Sequence, residues 1–287
     1  MKKEDLLHLR NINYRRTSGR RVRTLEQAKE LVNEIGFCHF WPIKGVEMPN
    51  LFHAIAGRER PVPKKHRDPD HRKCWGWKDQ ALGKKWWYYG KLLRRRATLV
   101  SLDDLPAFYA LSENWGDLTD YLQLYEEGKL SMEAKQVYEA LLEHGPLDTI
   151  RLRREANLGS ESSKYRFDRA LMELQVGLKV VPIGVAHTGA WNYAFIYELF
   201  QRHFPDVPEQ ARSIKRSAAR RRLVGEYVDN VLFTDRSMLE KVFHIYHWTD
   251  RQWDRTIESL LDEGRMVRRE VEGVEGMQFV SAGSWAS

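Results

Sequence analysis

Two stretches of the chain, FDRALMELQVGLKVVP from Phe167 and WDRTIESLLDEGRMVRR from Trp253, repeat one another at a spacing of 86 residues. Both begin aromatic-Asp-Arg, place a leucine seven residues on (Leu174, Leu260), and run through glycine and a basic residue to a valine-bearing segment. Two copies are too few for a solenoid, so the repeat predicts a tandem of small domains.

The flanking patterns say what each copy is. From Ser131 the apolar positions Ala134, Val137, Leu141 and Leu142 mark one helix face, ended by Gly145-Pro146. LDTIRLRREANLG is a second short helix, and SSKYRFDRALMELQVG a third, with serines at its cap and Phe167, Leu171, Leu174 and Leu178 inward. KVVPIGV and WNYAFIYEL then read as two strands around a turn at His187-Thr188-Gly189. Further on, SMLEKVFHIY and TDRQWDRTIESLLDEG supply helices, the latter capped by Thr249 or Asp250 and burying Trp253, Ile257, Leu260 and Leu261. RMVRREV and MQFVSA complete a hairpin. Helices followed by a two-stranded wing make a winged helix.

The first 130 residues read as a third, embellished copy. TLEQAKELVNEIG and VEMPNLFHAIAG are helices, RPVPKKHRDPDHRK a loop, CWGWKDQ, WWYYGKLL and ATLVSL strands, and DLPAFYALSENWGDLTDYLQLYEEG closing helices. The expected fold is mostly α with small β wings (α+β), as three tandem winged-helix domains. They span 1–130, 131–205, and 206–287, the last opening on a basic connector helix.

Charge points to a polyanion. Lys and Arg number 47 against 40 acids, a net charge of +7 and a pI near 9.3. In QARSIKRSAARRRLVGEY, Arg212, Lys215, Arg216, Arg220, Arg221 and Arg222 stand without an acid among them, and Arg212, Arg216 and Arg220 recur every fourth residue. On one helix they form a stripe that can follow phosphates, or a solvated connector. Arg94, Arg95 and Arg96 are a second basic run. Lys164, Arg166 and Arg169 on one third helix, and Arg251, Gln252 and Arg255 on the other, avoid the apolar stripe and can meet phosphates or base edges.

Ten tryptophans are rich for this length and serve as core filler or as stacking surfaces. Trp75 and Trp77 flank Gly76 at strand alternation, which directs both to one face. Two cysteines, Cys38 and Cys74, are too few for a disulfide framework and fit a reducing compartment. MKKEDLLHLR lacks the apolar run of a signal peptide, and no stretch reaches membrane-spanning length, so a cytoplasmic protein without membrane partner is expected. His66, His71 and Cys74 lie close in sequence, with Cys38, His39 and His53 elsewhere, but the paired short spacings of a zinc site are missing and no metal is expected. There is no phosphate-cradling glycine loop, G-x-S-x-G or H-E-x-x-H.

With IGFCHFWPI after a helix, WGWKD followed by YYGKLL, and LDDLPAFYALS, the chain resembles the AlkZ-like (YcaQ-type) winged-helix DNA glycosylases from Leu25 to about Ala282, most of all their divergent AlkZ-related branch. The resemblance implies double-stranded DNA as partner, no cofactor, and bacterial enzymes that excise alkylated or crosslinked purines. Their shared element is a glutamine and, one residue beyond its neighbour, a glutamine or aspartate, holding the attacking water and supporting the cationic sugar. The matching positions are His39 and Trp41. A neutral imidazole accepts from water, whereas an indole only donates. Glu47 and Asp79 are the carboxylates that can substitute, or else helix-terminal and ion-pair residues. Trp41, Trp75 and Trp77 can stack on a displaced base or fill an interface. Two functions follow: a glycosylase with His39 in its site, or a non-enzymatic DNA-binding regulator or lesion sensor. Winged helices that mediate protein contacts alone are a third.

Overall fold

A computed structural model describes residues 2–64, 67–189 and 193–285. A leading helix α1 (Lys3–Asn13) precedes the first unit: α2 (Leu25–Ile35), β1 (Phe37–His39), α3 (Leu51–Ala56), α4 (Pro69–Lys84), β2 (Tyr88–Lys91) and β3 (Ala97–Val100). Linking helices α5 (Leu105–Leu111) and α6 (Asp120–Glu126) lead to the second: α7 (Met132–His144), β4 (Leu147–Asp148), α8 (Thr149–Glu155), α9 (Lys164–Val176), β5 (Val180–Ala186) and β6 (Ala194–Leu199). After α10 (Phe200–His203) and α11 (Asp206–Arg212) comes the third: α12 (Arg216–Val231), β7 (Phe233–Thr234), α13 (Arg236–Phe243), α14 (Asp250–Asp262), β8 (Met266–Glu270) and β9 (Met277–Ser281). Helix, strand, two helices and a hairpin thus occur three times. Each sheet is antiparallel with its last strand in the middle: β1-β3-β2, β4-β6-β5 and β7-β9-β8. The mostly α, tandem winged-helix expectation is what the chain adopts.

Local chemistry accounts for the helix starts. Thr24, Asn50, Asp68, Ser131, Asp148, Asp235 and Thr249 each accept a backbone N–H from the first helical turn. Thr249 and Gln252 form a full capping box. Ser163 occupies the cap position of α9, yet its hydroxyl donates to Leu158 and Ser160 carbonyls instead. The Trp191 and Asn192 part of the expected WNYAFIYEL strand lies outside the described residues.

Two sequence expectations are corrected. The basic segment is not a connector: α12 is the first helix of the third unit, because Leu223, Val224, Tyr227, Val228 and Val231 give it a buried stripe. CWGWKDQ is not a strand but the middle of α4, whose start is marked by Asp68 accepting from His71 N at 3.0 Å with Pro69 in the first turn.

The units share a core. Phe37, Tyr88 and Val100 of the first sheet, Val181 beside Phe200, and Trp253, Ile257 and Met266 of the third unit belong to one apolar cluster. The tip of the β2–β3 wing enters it through fully buried Leu92 and Leu93, so that wing lies at the junction of all three. No helix of the described residues is long and apolar enough to cross a membrane.

Candidate functional site

Gly36 adopts φ +74°, and a Cβ there would sit 2.5 Å from the Asp104 carboxylate, so only glycine turns the chain from α2 into β1. The turn sets His39 on the sheet edge opposite Thr98, with its N–H donating to Pro49 O at 3.0 Å. His39 is 1% exposed, and neither ring nitrogen makes a well-formed hydrogen bond among the described residues, with only the Ala97 backbone close enough to favour the protonated ring. Burial lowers the imidazole to about 4, the Ala97 backbone opposing, with Arg94 and Arg96 pushing the same way as burial. His39 is therefore neutral at pH 7.

At the other family-matched position, Trp41, opens a cavity of about 300 Å³ lined by Trp41, Pro42, Ile43, Lys44, Lys91, Arg96 and Ala97, with His39 not among its walls. Three cations and no carboxylate stand among these lining residues, and burial followed by the Arg96 charge lowers Lys91. Such a pocket favours an anion over a developing cation. The imidazole has a consequence for stability. Its folded value lies below the unfolded 6.5, so the unfolded chain takes up the proton first and stability falls from about pH 6.5 to about 4. The loss from this group is about 3 kcal/mol. His203, lowered to about 4 by burial and Lys85, and His53, lowered by burial, act in the same direction. In urea titrations His39→Phe should be less acid-sensitive by about that amount; equal acid sensitivity in both proteins would contradict the assignment.

Trp41 forms a cavity wall with its ring stacked on His71 at 5.1 Å and edge-on to Phe40 at 4.6 Å and Phe52 at 5.3 Å. Trp75 Nε1 donates to His71 Nε2 at 3.3 Å. Because α4 is a helix, Trp75 and Trp77 point about 200° apart rather than to one face. Trp75 packs on Phe40 and Tyr193, and Trp77 is half-buried against the first unit's core. The structure brings Trp41 to the pocket, with Trp75 behind it.

The two candidate carboxylates are engaged elsewhere. Glu47 lies in the loop before α3, 3.4 Å from Arg10 and 3.7 Å from Arg16. Asp79 pairs with Lys78 and accepts from the Tyr193 hydroxyl at 2.9 Å. Lys78 is a residue the sequence reading passed over. Its side chain is 0% exposed, its Nζ donates to Tyr193 Oη at 2.7 Å, and four rings surround it: Trp75 (4.4 Å), Phe195 (4.3 Å), Tyr89 and Tyr193 (5.4 Å each). Burial lowers it to about 8 against the pull of Asp79. A helical reading of WGWKDQ would have shown Cys74, Lys78 and Ala81 on one inward face.

The cations fall into a series of clefts. Arg94 and Arg95 turn the β2–β3 wing in consecutive left-handed conformations, φ 56° and 55°. Arg96 lines the Trp41 cavity, while Arg95 lines a cleft of about 340 Å³ with Lys129, Arg169 and Glu173. Lys129 also lines the next cleft, of about 370 Å³, with Arg216, Glu113 and Glu173; there Lys129 pairs with Glu127 at 2.9 Å and Glu113 at 3.6 Å, and Lys179 with Asp120 at 2.6 Å. One turn along α12, Arg220 and Arg221 face Arg255 across a further cleft of about 310 Å³. Lys44, Lys91 and Lys129 were missed because single lysines carry no pattern.

The expected arginine stripe is modified. Arg212 belongs to α11 and pairs with Glu209, so it does not continue the face of α12. Lys215 is exposed at the α12 N-cap. Arg216 donates to Leu111 O at 3.0 Å, Arg221 pairs with Glu263 at 3.0 Å, and Arg222 with Asp104 at 2.6 Å and Glu226 at 3.2 Å. Arg220 has no ion pair among the described residues. Lys164 and Arg169 are exposed on α9, Arg166 pairs with Glu133 at 3.3 Å, and Arg251 and Arg255 are exposed on α14. Gln252 is held by its cap, its side-chain oxygen accepting from Thr249 N at 2.9 Å. Cys38 and Cys74 are buried free thiols, no metal-holding group of His, Cys, Asp or Glu occurs among the described residues, and His66 lies outside them.

Comparison with known proteins agrees with this architecture. No curated protein sequence matches the chain. Among solved structures, the Streptomyces sahachiroi DNA glycosylase AlkZ superposes with a TM-score of 0.59 at 12% identity, covering 100% of this chain and 72% of that one, which establishes a shared fold. A family model described as AlkZ related matches residues 22–244. With that match across most of its length, from before α2 to the end of α13, the chain belongs to the AlkZ-related family.

Proposed function

We propose that the chain binds double-stranded DNA through its tandem winged helices, in units near 1–130, 131–205 and 206–287, and does not cleave the N-glycosyl bond. One observation carries the reading: cations from all three units line successive clefts, Arg96, then Arg95 with Arg169, then Arg216, then Arg220 with Arg255. A backbone bearing one charge per phosphate matches a row of positive sites better than does any single small anion. The fold likeness to a DNA glycosylase supports a DNA partner.

Excision would build positive charge on the sugar, which calls for a nearby carboxylate or oriented acceptor. The pocket at the family position instead gathers Lys44, Lys91 and Arg96, with Glu47 and Asp79 tied into other pairs. A lesion sensor or regulator suits these features. The His39 nitrogens, without a well-formed hydrogen bond among the described residues, favour the glycosylase alternative, since a neutral imidazole can hold a water. Incubation with duplex carrying N7- or N3-alkylated purines, followed by mild alkali, separates the two. Binding without strand cleavage above background is expected; cleavage that His39→Ala abolishes would replace this reading with the enzymatic one.

A further inference from the structure

We infer that the cleft between α12 and α14 is a seat for one phosphate group of a phosphodiester backbone, a proposal that rests on the DNA-binding reading. One turn of each helix forms its walls: Ser217 and Arg221 with Arg220 from α12, Arg255 and Ser259 from α14. Arg221 is engaged with Glu263, which leaves Arg220 and Arg255 as the two guanidiniums without an ion pair among the described residues.

Arg220 is the central observation. Its Nε is shielded from solvent and has no hydrogen-bond partner among the described residues, a costly condition for a charged donor. Its guanidinium carbon lies 5.9 Å from the Trp248 ring centroid, and Trp248 is itself stacked on Phe243 at 5.4 Å and Tyr246 at 5.5 Å. The stack holds Trp248 in place, and the guanidinium lies over its ring. Burial, then the charge of Arg216, disfavours the cation, and an anion would relieve both effects.

The remaining partners suit phosphate oxygens. The Ser217 and Ser259 hydroxyls make no hydrogen bond among the described residues and stand on opposite walls with Arg220 and Arg255. Two guanidiniums and two hydroxyls can satisfy the unesterified oxygens of a single phosphate. Glu258 and Asp262 at the same cleft disfavour a second negative charge, so a singly charged diester fits better than a dianion.

The test uses the full chain, its Arg220→Gln/Arg255→Gln double variant, and Arg255→Gln alone, which alters only an exposed side chain. Duplex affinity is measured across salt, and the phosphorus NMR line of dimethyl phosphate, a singly charged diester, is followed with each protein. The double variant should bind duplex about tenfold more weakly with a salt slope shallower by about one. Arg255→Gln should fall between, and phosphate broadening seen with the parent should be lost in the double variant. Unchanged duplex affinity and slope in the variants overturn the seat while leaving DNA binding intact. Equal phosphate broadening in parent and double variant overturns it as well. Phosphate broadening lost in the double variant, with no duplex binding by the parent, keeps the seat and removes the DNA reading.

Discussion

Replacing Arg95, Arg96 and Arg169 together by glutamine should weaken duplex binding by about two orders of magnitude at 0.1 M salt. The three residues come from the β2–β3 wing and from α9, and they line two adjacent clefts at the junction of the units. The wing presents Arg95 and Arg96 outward because Leu92 and Leu93 are anchored in the shared core while Arg94 and Arg95 take left-handed backbone. Holding two non-glycine residues there costs on the order of 1 kcal/mol each. Glutamine leaves that backbone problem as it was and removes only charge, so folding should be spared. Binding equal to the parent, measured by fluorescence anisotropy at fixed salt, would place the DNA path elsewhere.

Lys78→Ala should be the most destabilising single change, by about 3–5 kcal/mol. It empties the space inside four aromatic rings and leaves Asp79 with Tyr193 alone. The loss is also between units, since Lys78 stands on α4 while Tyr193 and Phe195 belong to the second wing. Lys78→Met fills much of the same space and should cost less. It also carries a pH signature. The folded value of about 8 lies below the ordinary 10.5, so above pH 8 the unfolded chain holds a proton the folded chain has released, and stability rises with pH. The gain from Lys78 is about 2–3 kcal/mol between pH 8 and 10. From about pH 9 the buried thiols of Cys38 and Cys74, and from about pH 10 the buried tyrosines, Tyr88 and Tyr89 among them, oppose this gain because burial holds them un-ionised in the fold. Lys91 and Lys179, lowered by burial in both proteins, cancel in the comparison. These groups are common to both proteins, so between pH 8 and 10 the parent should gain about that amount relative to Lys78→Met, as chemical denaturation at the two pH values would show; the same pH dependence in both proteins would contradict the assignment.

The repeated wing was legible because strand alternation and capping residues are local. Thr249 with Gln252, and Ser131 before an amphipathic run, announce helices without tertiary context. The first helix of the third unit was hidden by its own charge: the arginines of α12 drew attention from Leu223, Val224 and Tyr227 on its opposite side. At Trp75-Gly76-Trp77 an aromatic alternation imitated a strand, although Asp68-Pro69 upstream carried the helix signal. The pocket was legible only at Trp41 and Arg96. Its lysines, and the cage around Lys78, are assembled from distant segments, 115 positions apart for Lys78 and Tyr193. Carboxylate partners for Arg221 and Arg222 likewise come from other elements, so a run without local acids was not a run without neutralisation.

One cationic path shared by three winged helices is read most directly by the salt dependence of duplex binding by the unaltered chain. Each phosphate contacted contributes a slope of about −0.9 in log K against log salt. Occupation of the successive clefts predicts a slope of about −4 or steeper. A slope near zero, or no duplex binding at low salt, would contradict it.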